Sequence, residues 1–414
     1  MAGKVAPWGL LVGVALVVCL VLIAGCPSGT PTSPPTAGPG PGGAPGKLAG
    51  DTGAGGGGDV IKIGAIFSVT GNMAPLGEPE KQAAEMIVEE VNAKGGLLGK
   101  QIELIVKDDK STPDEAVLAA KDLLETQKVV AIIGPSGTPT TMAIKDLCDE
   151  AKVPLVSCAA GRTITDPLKP FVFAVPQTDT LAVARILDYL KAQKISKVAV
   201  IHVANPFGES GAKQLEAQLP AAGVQIITTE KFGGDDTDMT AQLTNIKSKK
   251  PDAVICWGTN PGPAHVTKGM KKLGITVPLI QSHGVANKSF LSLAGEAAEG
   301  VMLPAGRLIV WQSIPDDNAQ KPVLKAFAEA FKAKYNKDAD TFAGHAYDSL
   351  SIVLKAIEVE KSTDPVKIRD GIEMTKNFVG TAGVFTYNAL DHNGLVKDAF
   401  VWVKVEKGAW KLVQ

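Results

Sequence analysis

From Val60 onward, short apolar runs alternate with amphipathic ones, and no other feature limits the fold of this chain as much. Strand candidates fall at 61–67, 102–107, 129–133, 155–157, 198–203, 225–229, 253–257 and 279–281. Helical periodicity falls between them, at 81–93, 114–125, 140–150, 181–192, 208–219, 240–248 and 264–273. A strand followed by a helix and then another strand must cross over, which builds βαβ units and parallel sheets. Pro113 with Asp114 opens one helix, and Gly95-Gly96 closes another in the manner of a left-handed cap. The later chain differs, with helices at 323–335, 342–357 and 366–374 and strands near 384–387, 400–405 and 410–413. One continuous sheet suits this order poorly. Two α/β lobes sharing a returning C-terminal third suit it better.

The first 25 residues carry one positive charge at Lys4, an apolar run from Leu10 to Ile23 and then small residues before Cys26, which is a secretory signal layout. The order Ile23-Ala24-Gly25-Cys26 resembles a bacterial lipobox, and lipidation is expected at Cys26 after cleavage. Each buried acyl methylene then contributes about 0.8 kcal/mol to anchoring. Residues 26–59 are mostly Gly, Pro, Thr, Ser and Ala, too poor in apolar side chains to fold. Such a tether reaches on the order of 30 Å. Lys plus Arg total 42 against 43 for Asp plus Glu, a formal charge of −1, so no global field recruits nucleic acid. Removal of the signal and use of Cys26 leave Cys148, Cys158 and Cys256, an odd number. A disulfide between Cys148 and Cys158 and three buried thiols are both open.

Open α/β sheets bind ligands at the carboxyl ends of their strands, often against a helix N-terminus. After the strand at 129–133 comes Gly134-Pro135-Ser136-Gly137-Thr138-Pro139-Thr140-Thr141, where hydroxyls and free N–H groups at a helix start suit a carboxylate. No lysine stands in the P-loop position, which disfavours a nucleotide. After the next strand, Ser157-Cys158-Ala159-Ala160-Gly161-Arg162-Thr163 offers small residues that let a ligand approach the backbone. Asn205 to Glu209, Trp257 to Pro261 and Ser282-His283-Gly284 occupy the same position after three further strands.

Catalytic constellations are not found. Gly208-Glu209-Ser210-Gly211 brings its second glycine one place too early for a nucleophile elbow. His202, His265, His283, His345 and His392 have no metal spacing, so neither a metal nor a cofactor is expected. The acidic pairs Asp108-Asp109 and Asp235-Asp236 suit solvation or capping. His345 and Asp348 share a helix face at i, i+3, the spacing of a structural hydrogen bond.

Taken in order, several segments resemble the type I periplasmic binding proteins of the branched-chain amino-acid ABC importers. They are Ile63-Gly64-Ala65 with Gly71 and Leu76-Gly77, Asn92 to Gly99, Ile132-Ile133-Gly134-Pro135, Val153 to Ser157, Phe207-Gly208, Gly295 to Gly300, Ala346-Tyr347-Asp348 and Asp391-His392-Asn393-Gly394. The resemblance implies two Rossmann-like lobes with parallel sheets, joined by three crossovers and closing like a hinge on the ligand. Lobe 1 is then expected at 60–177 plus about 305–378, and lobe 2 at 178–304 plus about 379–414. It also implies a monomer without enzymatic activity or cofactor, which delivers an amino acid or related carboxylate to a permease and meets the membrane only through its lipid.

By position, the family's α-carboxylate site falls on Ser136, Thr138 and Ala159, with Gly161 where an amino-acid binder often has Thr, and Gly137 and Ala160 beside them are further candidate ligand-binding residues. Leu76, Phe207 and Asn260 fall on its side-chain pocket. The acidic partner of the ligand ammonium is replaced by His283, which supplies no countercharge when neutral. Asp179 is a candidate substitute. Some members of the family take aromatic or aliphatic carboxylates, and the exchange at His283 together with Phe207 leans that way. A ligand sensor for a membrane receptor and an anchored extracellular hydrolase are the competing functions.

Overall fold

The structure is a computed structural model and describes residues 60–413; the expected signal, Cys26 lipidation site and tether lie outside the described residues. The first sheet is fully parallel and contains β1 (Ile61–Phe67), β2 (Ile102–Asp108), β3 (Ala131–Ile133), β4 (Leu155–Ser157) and β5 (Val172–Ala174) in the order β2-β1-β3-β4-β5. Helices α1 (Ala74–Ala93), α2 (Pro113–Lys121) and α3 (Thr138–Ala151) connect its strands. β1 is buried along nearly its whole length because apolar clusters cover the sheet on both faces. That explains its continuous apolar run, since a parallel strand has no water-facing side.

The chain then enters the second lobe through α4 (Asp179–Ala192) and continues as β6 (Lys197–Val203), α5 (Pro206–Gln218), β7 (Gln225–Phe232), α6 (Thr240–Lys249) and β8 (Ala253–Trp257). It goes on through α7 (Gly262–Lys272), β9 (Leu279–Gln281), α8 (Lys288–Ala294) and β10 (Met302–Ala305). It returns for α9 (Lys321–Tyr335), α10 (Thr341–Glu360), α11 (Pro365–Glu373) and the short hairpin of β11 (Phe378–Val379) and β12 (Val384–Phe385). It crosses a third time to add β13 (Val401–Glu406) and β14 (Ala409–Leu412), giving the order β14-β13-β10-β9-β8-β6-β7. β13 runs antiparallel to β10 and to β14, but the parallel parts of the two sheets are wound alike, the first strand of each lying between its second and third. The two-lobed α/β fold with three passages between sheets is therefore the one expected.

The differences from the expected elements have local causes. Several helices start earlier than periodicity suggested, with Pro75, Pro139, Pro206 and Pro263 in their first turns. There the missing N–H costs nothing and the fixed φ already suits a helix. β5 and β10 lie outside the expected strands; β10 contains Pro304, which cannot donate to a ladder. Residues 379–393, expected in the second lobe, are held against the first. Asp348 of α10 accepts the N–H groups of Thr381 (2.7 Å) and Ala382 (2.8 Å), and the Ala174 N–H donates to the His392 carbonyl at 3.0 Å. Cys148, Cys158 and Cys256 are free and buried, so the Cys148–Cys158 disulfide is not formed, and burial pushes the Cys148 thiol up to about 12.

Candidate functional site

The loops that follow β1, β3 and β4 meet those that follow β6, β8 and β9 around a small cavity between the lobes. This is the crevice that winding a sheet in both directions from its first strand creates. The first lobe contributes Met73, Leu76, Ser136, Gly137, Thr138, Pro139, Ala159, Ala160, Phe342 and His345. The second contributes Asn205, Phe207, Thr259, His283 and Gly284. The cavity measures about 30 Å³, where a single water takes roughly 10–15 Å³. A solute of amino-acid size therefore enters only when the lobes part. Across the seam the Arg162 N–H donates to Ser210 Oγ at 3.1 Å, Asn287 Nδ2 donates to the Pro75 carbonyl at 3.4 Å, and the Asn72 amide donates to Asp235. A larger groove of about 800 Å³, lined in part by Pro75, Asn287, Trp311, Phe331 and Trp410, shares no lining residue with this cavity.

Local chemistry fixes each wall. Asn205 Oδ1 accepts the N–H groups of Phe207 (3.0 Å) and Gly208 (3.1 Å), capping α5 and holding Phe207 at the cleft. A Cβ on Gly208 would lie 1.8 Å from the Val203 carbonyl oxygen, so this turn accepts only glycine. α3 begins at Thr138 with Gly137 as its cap residue, which has no side chain to occupy the first-turn N–H groups. Thr138 Oγ1 accepts the Gly161 N–H at 3.2 Å. Ser136 Oγ accepts the Ser68 N–H at 3.0 Å and hydrogen-bonds the Glu80 carboxyl behind it. Glu80 is fully buried, and burial holds its carboxyl well above the usual range.

The lining contains no Asp, Glu, Lys or Arg. Its titratable side chains are His283 and His345, one from each lobe. The His283 ring lies 5.8 Å from Phe207, 5.8 Å from Trp257 and 5.5 Å from Phe400, and that of His345 lies 5.8 Å from Phe342. Burial pushes His283 down to about 3, and burial with the neighbouring His283 does the same to His345. Both are neutral at pH 7, and all four ring nitrogens are buried without a partner.

Eight of the eleven residues singled out in the sequence come together here: Leu76, Ser136, Gly137, Thr138, Ala159, Ala160, Phe207 and His283. Three do not line the cavity. Gly161 backs Thr138. Asp179 is fully buried next to the lining, its N–H donating to the Ala160 carbonyl at 3.2 Å and its Oδ2 accepting the Arg162 N–H at 3.3 Å, while Oδ1 has no partner and burial pushes the carboxyl up to about 7. Asn260 Nδ2 donates to Asn287 Oδ1 at 3.3 Å. His345 and Phe342 were not foreseen because they arrive on α10, from a returning helix with no strand end to mark it. The pairing of His345 with Asp348 is not made, since Asp348 is taken by Thr381 and Ala382. The pair Asp108-Asp109 caps its loop as expected, accepting the N–H groups of Val69 and Lys110 at Asp108 and of Ser111 at Asp109.

Two similarly wound lobes meeting at a buried, uncharged cleft define a two-lobed solute-binding fold. A family profile described as periplasmic binding protein matches residues 60–409, and the chain belongs to that family, in its type I, branched-chain amino-acid branch. Among curated relatives, the leucine-, isoleucine-, valine-, threonine- and alanine-binding protein of Pseudomonas aeruginosa is 26% identical over 316 residues, covering 76% of this chain and 82% of its own. Among solved structures, an extracellular ligand-binding receptor from Rhodopseudomonas palustris HaA2 has a TM-score of 0.81 at 27% identity, covering 85% of this chain and 99% of that one. The branched-chain amino acid transporter substrate-binding protein LivJ of Streptococcus pneumoniae, in complex with isoleucine, has a TM-score of 0.75 at 29% identity, covering 86% and 99%. Among the described residues no helix is long and apolar enough to cross a membrane.

Proposed function

We propose that this chain is the capture component of an ABC importer, held outside the membrane by lipid at Cys26 and by the segment that follows it. It takes a small amino acid or related carboxylate between its lobes and hands it to a permease. The observation that carries this reading is the cavity at the start of α3, walled by Met73, Leu76, Phe207 and Phe342 and closed from the other lobe by His283. The ligand carboxylate would lie toward Ser136, Thr138 and the first turn of α3, where N–H groups and the helix dipole favour an anion. The apolar body would rest on the aliphatic and aromatic wall. Closure of the lobes then gives a permease a shape to distinguish from the open form.

The names of the relatives support an amino acid as ligand. The neutral imidazoles of His283 and His345 support a carboxylate whose second polar group needs no countercharge, because an ammonium buried without a carboxylate partner is expensive. Calorimetry with leucine, its isosteric 2-hydroxy acid, isovalerate and benzoate tests both levels. Heat from any of the four supports capture of carboxylates. The hydroxy acid is expected to bind more tightly than leucine, and heat from leucine alone would overturn the ligand reading.

A further inference from the structure

We propose that Glu80 is a proton-carrying positioning residue: as a neutral acid it donates to Ser136, and so leaves the Ser136 hydroxyl hydrogen free to bind the ligand's carboxylate. This rests on the reading of the cleft as a carboxylate site. The argument is a donor count. Ser136 Oγ has one hydrogen and two lone pairs. One lone pair accepts the Ser68 N–H at 3.0 Å, and the Glu80 Oε2 contact takes either the other lone pair or the hydrogen. If Glu80 is a carboxylate it can only accept, so it takes the hydrogen, and Ser136 presents nothing to an anion except lone pairs. If Glu80 carries a proton it donates, and the Ser136 hydrogen turns toward the cavity that Ser136 lines.

The surroundings favour the neutral form. Glu80 has no exposed surface, and its Oε1 has no partner at all. The titratable groups that bear on it are Asp109, after β2, and Asp340, ahead of α10; the Cys158 thiol, after β4, in turn feels Glu80. No cation is among them. Asp109 is itself fully buried, tied to Ser68 Oγ at 2.6 Å, and burial raises both it and Asp340, the latter to about 7. A negative charge on Glu80 would thus face two further acids and, through Ser136, the anionic end of the ligand. The two cavity histidines do not interfere at neutral or alkaline pH, since both are already uncharged there.

The consequence is a coupling between a proton and the ligand. As pH rises, the proton leaves Glu80 for solvent, Ser136 turns its hydrogen inward, and affinity for a carboxylate falls, approaching about tenfold per pH unit beyond the ionisation of Glu80. Glu80→Gln keeps a donor toward Ser136 that cannot ionise, so it should retain the low-pH affinity at every pH. Glu80→Met removes the acceptor as well as the donor, so it should lose the pH dependence of binding, whereas Ser136→Ala should bind weakly at every pH, with circular dichroism confirming that both fold.

Two arms test the proposal on the mature protein. Without ligand, infrared spectra of wild type and Glu80→Gln at neutral pH should differ by the carbonyl stretch of one protonated carboxyl. Finding instead the carboxylate stretches of an ionised Glu80 overturns the proposal whatever ligand binds. With leucine, the 2-hydroxy acid and isovalerate as probes, titrations carried upward from neutral pH through the ionisation of Glu80, as the infrared band reports it, should weaken for wild type and stay flat for Glu80→Gln. A bound probe whose affinity shows the same pH profile in both proteins overturns the coupling and leaves the function standing. Failure of every probe to bind, with the neutral carboxyl present, overturns the assigned role of Ser136 along with the carboxylate reading, and leaves only the proton on Glu80.

Discussion

Gly161 shows how a residue outside the cavity sets its wall. A Cβ there would lie 2.5 Å from Thr138 Cγ2 and 2.9 Å from Oγ1, so any larger side chain must displace Thr138 from the place where it accepts the Gly161 N–H. Gly161→Ala is therefore expected to lower stability by about 1–3 kcal/mol. It should also weaken binding of the carboxylate probes, which calorimetry on the variant checks. Its position was legible as a small residue at a strand end, but its role was not: sequence spacing cannot say whether the loop turns its Cα or its neighbour toward the ligand. The same limit separates Ala159 and Ala160, which line the cavity, from Asp179, which does not line it but donates its N–H to the Ala160 carbonyl.

Among the elements, α10 does the most to join the fold to the site. It buries residues on almost every side, packs along α1, and brings His345 and Phe342 to the cleft. Its Asp348 ties down the segment that leads toward the third passage, accepting from the Thr381 N–H, the Thr381 hydroxyl (3.1 Å) and the Ala382 N–H. An asparagine has one oxygen for these two backbone donors and would set its amide against the other. Asp348→Asn should therefore lose about 1–3 kcal/mol, measurable by urea unfolding. The helix itself was plain from its apolar periodicity. Its neighbours were not, because a helix buried nearly all round carries no face that points to one partner.

For the whole molecule, buried titratable groups pull stability in opposite directions with pH. His283 and His345 fall from about 6.5 when unfolded to about 3 when folded, so the stability they confer is complete above about pH 6.5 and is lost as pH falls toward about 3. Asp179, Asp340 and Asp348 are raised to about 7 by burial, so they favour the folded state most below about pH 4 and lose that contribution as pH rises through about 7. Removing one histidine should unbalance the pair of effects. His345→Gln is expected to lose less stability than wild type between pH 7 and pH 4, by a few kcal/mol at most, in ligand-free thermal melts at several pH values. What the sequence alone determined is the order of strands and helices, the small polar loops after successive strands and the lack of an acid at His283, because periodicity, turn chemistry and residue type are local. Only the tertiary structure decided that His283 meets His345, that Ser136 leans on a buried Glu80, and that Asp179 does not line the cavity. Those relations join residues far apart in the chain, and they exist only once two sheets wound alike have brought their strand ends face to face.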